Sequence, residues 1–166
     1  GFVRCRIGGN APQWCEHMGN ELEGLLFYGS FQHPYQLETQ VSVFFNGDPD
    51  ELLQRRIYPD CAVRVFTHEP SAEGSDTRFT CDYLNLTSIE SSDEEGLIIV
   101  GQPEMIQEEE YYTEPLERDG WEFLMQIDES GYPDDLATTY PFFYGALYLY
   151  WKPESGEVTA GYWQCS

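Results

Sequence analysis

A period of two, not of 3.6, runs through the apolar residues of this chain, and that pattern limits it to folds dominated by β-sheet. Gln40-Val41-Ser42-Val43-Phe44-Phe45, Cys61-Ala62-Val63-Arg64-Val65-Phe66 and Gly145-Ala146-Leu147-Tyr148-Leu149-Tyr150-Trp151 set β-forming side chains at alternate positions or in short runs, as strands require. Turn chemistry follows each: Asn46-Gly47-Asp48-Pro49, then His68 through Gly74, then Lys152-Pro153-Glu154-Ser155-Gly156. Such residues favour turns by supplying positive φ, a fixed φ or a local side-chain acceptor. The last turn leads into Glu157 through Trp163, so a hairpin is predicted there. Helical candidates are short. Asp48 caps Pro49 through Gln54 with proline in the first turn, and Pro103 through Glu108 carries acids at its N-terminal end. No long amphipathic helix is present. The predicted class is α+β, mainly antiparallel sheet with few short helices.

The same order of features occurs twice. Ile7 through Trp14 resembles Val100 through Gln107, Gly24 through Tyr28 resembles Trp121 through Met125, and Val41 through Gly47 resembles Leu147 through Pro153. Each unit reads as a Gly/Pro turn, a short helix or loop, an apolar strand and an alternating strand. This similarity predicts an internal duplication with units roughly 1–70 and 96–166. Neither unit alone buries enough surface, whereas 166 residues can bury roughly 70% of the unfolded surface. One domain over 1–166 with the two units fused is therefore expected.

Charge narrows the function classes. Thirty Asp and Glu oppose eight Lys and Arg, for a formal charge of −22. An excess of that sign and size excludes sequence-independent binding to nucleic-acid phosphates and to anionic membranes. Apolar content of 41% and aromatic content of 16% exclude a disordered acidic tail. With no run of 18 apolar residues and no hydrophobic signal core at the start, the expectation is a soluble, cytoplasmic protein. The five cysteines, an odd number without CxxC spacing, are expected as reduced thiols. Residues 90–135 carry 16 carboxylates against Arg118 alone, a net of −15. A field that lopsided steers a basic protein partner, although a solvated acidic face has the same composition.

The C-terminal stretch from Val100 to Ser166 resembles the YwqG-like proteins of bacteria. Gly101-Gln102-Pro103-Glu104-Met105-Ile106-Gln107 is similar to that family's Gly-x-Pro-x-x-Ile-Gln turn. Trp121 through Asp128 is similar to its apolar strand ending in Gln-hydrophobic-Asp, Gly145 through Trp151 to its Gly-led strand, and Trp163-Gln164-Cys165-Ser166 to its closing residues. In the first half, Arg6-Ile7-Gly8-Gly9 with Pro12 and Trp14 resembles the opening signature. Tyr140 through Gly145 replaces the family's Trp-Gly-Asp-x-Gly turn, so no role of that Trp or Asp carries over. The resemblance implies an α+β fold built from a duplicated unit, and no biochemical activity.

Catalytic motifs are absent: no Gly-x-Ser-x-Gly elbow, no HExxH, and at Gly8-Gly9-Asn10 neither a P-loop lysine nor dinucleotide spacing. Cys15 and His17 lack the paired clusters of a zinc site, and Asp128-Glu129-Ser130-Gly131 lacks the spacing of a calcium loop. No cofactor and no metal are expected. The candidate interface is therefore acidic with an aromatic rim: Glu108, Glu109, Glu110, Tyr111, Tyr112, Tyr140, Phe142, Phe143 and Tyr144. An immunity-type inhibitor that occupies the cationic cleft of a toxin is one version of that reading. The alternative is a small-ligand binder or hydrolase with a pocket between the repeats, lined by Gln107, Gln126, Asp128 and Gln164, where the glutamines would bind a polar ligand or satisfy turn backbone.

Overall fold

The computed structural model describes residues 4–89, 96–136 and 139–166. Glu90, Asp93, Glu94 and Glu95 of the acidic segment lie outside them. The first sheet contains β1 (Cys5–Ile7), β2 (Leu25–Gln32), β3 (Gln40–Asn46), β4 (Val63–His68) and β5 (Thr87–Ile89), in the order β4-β3-β2-β1-β5. The second contains β6 (Ile98–Ile99), β7 (Glu122–Asp128), β8 (Ala146–Trp151) and β9 (Val158–Gln164), in chain order. Every pairing is antiparallel. Among the described residues, two short helices, α1 (Pro49–Gln54) and α2 (Glu114–Arg118), and four short 3₁₀ segments complete the regular elements. The expected α+β class, mainly antiparallel sheet with few short helices, is what the chain adopts.

Local chemistry explains the elements. The Asp48 side chain accepts the Asp50 N–H at 2.9 Å and Pro49 starts α1, as the cap and proline require. Pro103 through Glu108, expected as a helix, is a loop. Its N–H groups are taken by glutamine side chains of the second sheet instead of by carbonyls four residues back. The strand expected over Cys61 through Phe66 lies two residues later, at Val63–His68.

Alternation delivers the core. Inward residues of both sheets, among them Ile7, Phe31, Val43, Met125, Leu149 and Trp163, form one buried cluster. Phe142 packs edge-on against Tyr28 and Phe45 of the first sheet and lies 5.5 Å from the Trp163 ring of the second. A large apolar side chain removed from water contributes about 1.5–3 kcal/mol, so this shared cluster is what joins the sheets. The backbone adds a seam, in which Trp163 and Tyr58 N–H donate to Arg56 and Gly161 carbonyls.

The two sheets also agree in detail. Each second strand carries a bulge, at Tyr28 between Phe27 and Gly29 and at Leu124 between Phe123 and Met125. Gly24 and Gly120 precede these strands with φ of +80° and +84°. In the sequence comparison Gly24 is set against Trp121, one residue after Gly120. Gly8 and Gly101, aligned by sequence, both have positive φ.

Candidate functional site

The outer faces of the two sheets differ most. On β1 the period of two sends Cys5 and Ile7 into the core and Arg4 and Arg6 to the opposite side. Arg6 lies 4.9 Å over the Phe27 ring, and its Nη1 donates to the carbonyls of Gly8 and Asn10, both at 2.8 Å. The Gly8-Gly9 turn is what folds those carbonyls back. Both residues have φ near +78°, and a Cβ on Gly8 would sit 2.6 Å from the Asn85 carbonyl oxygen, so a larger residue is excluded by conformation and by space. Burial lowers the Arg6 pKa, and the nearby Glu73 carboxylate opposes that shift. Arg6 Nη2 is buried without a hydrogen-bond partner, which costs about 1–3 kcal/mol.

Next to Arg6 in register is Ser30, and next to Ser30 is Ser42. The hydroxyls are 2.7 Å apart, and Ser42 Oγ lies 2.7 Å from His68 Nε2. His68 Nδ1 faces the Glu69 carbonyl at 2.7 Å, so Nδ1 carries the proton. Nε2 then accepts from Ser42, and Ser42 accepts from Ser30. Burial lowers the His68 pKa, and Trp14 stacks on its ring at 4.6 Å. Ser–His distances like these suit a nucleophile and base. Ser42 is 0% and Ser30 1% exposed, however, so a substrate carbonyl cannot approach either oxygen. The chain of hydroxyls holds three strands together, and Ser30 at its end lines a cleft of about 540 Å³.

On the second sheet the equivalent cross-strand positions hold Gln126, Tyr148 and Tyr162. Their bulk, with Gln164, carries the 103–107 loop. Glu104 N–H donates to Gln126 Oε1 at 2.7 Å, Ile106 and Gln107 N–H donate to Gln164 Oε1 at 2.9 Å, and both amide NH₂ groups return bonds to loop carbonyls. Tyr112 donates to Gln107 Oε1. Asp128 accepts from Gln126 and from Ser130. The four residues proposed to line a pocket between the repeats are thus brought together, but around backbone of their own chain. They do not line the cleft, which belongs to the first sheet alone.

Over the same face, the 3₁₀ turn Glu110–Tyr112 and α2 bury Tyr112 and Leu116 against Tyr148, Tyr150 and Tyr162. This cap leaves eight carboxylates exposed: Glu104, Glu108, Glu109, Glu110, Glu114, Glu117, Asp119 and Glu122. Ion pairs among the described residues join Arg55 to Glu51 and Asp60, and Arg78 to Asp76, and use none of the eight. Of the aromatic rim, Tyr111, Phe143 and Tyr144 are about half exposed, Tyr140 is half-buried, and Tyr112 and Phe142 are buried. Tyr111 stands within the acidic cap. Phe143 stacks on Trp163 instead, so the rim does not form one surface with the acids.

Glu129 explains the 140–145 turn. It is buried, and its carboxylate accepts N–H groups from Phe142 and Gly145 at 3.0 Å and the Tyr132 hydroxyl at 3.2 Å. Tyr132 is 2.6 Å from the Tyr28 hydroxyl across the core. These bonds hold Phe143 and Tyr144 at φ of +58° and +59°, a region costly to bulky side chains. Burial raises the Glu129 pKa to about 7, against the opposing effect of the bonds it accepts. Asp128-Glu129-Ser130-Gly131 thus spends its oxygens on its own backbone and hydroxyls.

Among the described residues, no group of three or more His, Cys, Asp or Glu is placed to hold a metal, all five cysteines are free thiols, and no helix is long and apolar enough to cross a membrane. No protein-family model, curated protein or solved structure matches the chain. Sequence reasoning missed Arg4, Arg6, Ser30, Ser42, His68 and Glu129. Only the alternation placing Arg4 and Arg6 on one side of a short strand was there to be read.

Proposed function

We propose that this protein is a binding domain without catalytic activity of its own, which docks a basic protein through the acidic cap on its second sheet. The observation that carries this reading is the eight exposed carboxylates between Glu104 and Glu122, opposed in that span by Arg118 alone and surrounding exposed Tyr111. Carboxylates outside the ion pairs of the described residues keep their negative charge uncompensated, which accelerates encounter with a cation-rich surface. Tyr111 adds an aromatic anchor with a polar tip at low entropic cost. Inhibition of a toxin with a cationic cleft, in the manner of an immunity protein, is the specific form we favour. The YwqG-like resemblance supports a shared scaffold and adds nothing to the choice of partner.

The test is capture of basic proteins from lysate of the source cells by wild type and by E108Q/E109Q/E110Q, at low salt and at about 0.5 M salt, where the Debye length is well under 10 Å. A captured protein that is basic, is lost at high salt and is lost on the triple variant supports the proposal. Retention of the same proteins by the triple variant overturns it.

A further inference from the structure

Two cross-strand rows of polar side chains run over the outer face of the first sheet, where the cleft of about 540 Å³ lies. In one row, register sets Ser42 beside Ser30, Ser30 beside Arg6 and Arg6 beside Ser88. In the other, two residues further along each strand, Gln40 stands beside Gln32. We propose that this cleft binds a small uncharged polyol, a sugar of one or two rings, through Ser88, Gln32 and Gln40 of these rows and Thr39 at their end. The inference does not rest on the docking reading, because the two sites occupy different sheets.

Charge sets the first limit on the occupant. The chain carries a formal charge of −22, so its long-range field repels anions. The two arginines that line the cleft do not reverse this, because both are already engaged. Arg6 is held over the Phe27 ring with Nη1 on two backbone carbonyls, and Arg4 has its own partner within the protein. No acidic residue lines the cleft among the described residues, so a cation finds no counter-charge on these walls. An uncharged ligand suits them, since it brings no charge that must be desolvated without a partner.

Hydrogen-bonding capacity sets the second limit. Thr39 and Ser88 carry hydroxyls that no group of the described residues engages. Gln32 spends its NH₂ on the Leu37 carbonyl and keeps Oε1, whereas Gln40 spends Oε1 on the Ser71 N–H and keeps its NH₂. Among the described residues, buried polar side-chain atoms without a partner belong to Arg6 and His33 alone, so these four groups face solvent. Together they make one acceptor, one donor and two groups that do both. Hydroxyls match that set because each donates and accepts, whereas a carboxylate only accepts and an ammonium only donates. Leu37, 61% exposed at the margin, and Ile89 offer apolar surface to the carbon face of a ring. The volume falls in the range of small-molecule sites and is too small for a macromolecule.

Titration of the whole chain with glucose and with maltose, read by amide chemical shifts, tests the proposal, with glucose 6-phosphate and glucosamine as charged counterparts. At least one neutral sugar is expected to bind with a Kd on the order of 1–10 mM, moving the amides of residues 30–32, 39–40, 71–72 and 88–89. Binding should be the same at low salt and at about 0.5 M salt, because no charge is involved. Each charged counterpart should bind more weakly than the better neutral sugar. T39V and S88A remove hydroxyls that hold nothing in the protein, so each should weaken binding roughly three- to tenfold and keep the melting temperature within a few degrees of wild type. S88W fills the cleft from an exposed position and should abolish binding. The proposal is overturned if neither sugar binds at about 100 mM, if all three variants bind as wild type does, or if a charged counterpart binds more tightly than the better neutral sugar. E108Q/E109Q/E110Q should bind the sugar as wild type does, so the outcome here is independent of the capture experiment.

Discussion

The outer faces of the two sheets differ in what covers them. In both, the second strand bulges at the same place and the position two beyond the bulge pairs with the middle of the third strand. On the first sheet that pair is Ser30 and Ser42, on the second Gln126 and Tyr148. Small hydroxyls can be satisfied within the sheet by one another and by His68, which leaves a cleft beside Ser30. Long amides and phenols reach past the sheet, and they draw the 103–107 loop and the acidic cap down onto it. Side-chain length at a few matched positions therefore decides which face is open and which is closed, and charge follows the same division.

Removing bulk from the closed face should produce the largest effect. Tyr148→Ser should cost about 3–5 kcal/mol, the range for deleting a buried ring, read from the urea midpoint. A cost below about 1 kcal/mol would mean that the second face is not held by this residue.

Each half also buries an ionisable residue just after its second strand, His33 after β2 and Glu129 after β7, and these should answer pH in opposite senses. Burial raises the Glu129 pKa to about 7 from an unfolded value of 4.5. Its stabilising contribution is thus complete below about pH 4.5 and is lost as pH rises through 7, an effect on the order of 3 kcal/mol. Burial lowers the His33 pKa, so its contribution is complete above the unfolded value of 6.5 and is lost as pH falls. In melts from pH 4.5 to 8, E129Q should be less stable overall and lose the decline on the alkaline side relative to E109Q, whose carboxylate is exposed. H33Q should lose part of the decline on the acid side. Equal pH slopes for E129Q and E109Q would contradict the assignment.

Hydrogen-bond deletions come next. Ser42→Ala strands both Ser30 and His68, and Gln164→Ala strands the N–H groups of Ile106 and Gln107, so each should cost about 1–3 kcal/mol. The two are distinguished by hydrogen exchange. Gln164→Ala should speed exchange of the 104–107 amides and leave β3 and β4 protected, and Ser42→Ala should do the reverse. At the small end, E109Q should change stability by less than about 0.5 kcal/mol, as exposed sites do.

Much of the fold was legible. Alternation marked β3, β8 and β9 to within about a residue, and the cap and proline marked α1, because these signals are local and the structure follows them. Pro103 through Glu108 misled for a physical reason: its acids and proline suit a helix start, but Gln126 and Gln164 offered its N–H groups better-placed acceptors from far along the chain. The glutamines were noticed for themselves, and the reading of them as satisfiers of turn backbone describes their bonds. Of the aromatic run from Tyr140 to Tyr144, read as part of an interface rim, Phe143 and Tyr144 are about half exposed, and Phe142 is drawn into the core by contact with Tyr28 and Phe45.

From its residues alone this chain was bound to be a largely antiparallel, strongly acidic protein with short helices, because period, turn chemistry and charge are properties of neighbours in sequence. The cleft, the Ser30–Ser42–His68 chain and the buried Glu129 were decided only in three dimensions. Ser42 and His68 are 26 residues apart and meet at 2.7 Å through strand register, and the Glu129 pKa is raised only because the packed sheets remove its water. Register and desolvation are collective properties of the folded chain, and no local stretch of sequence carries them.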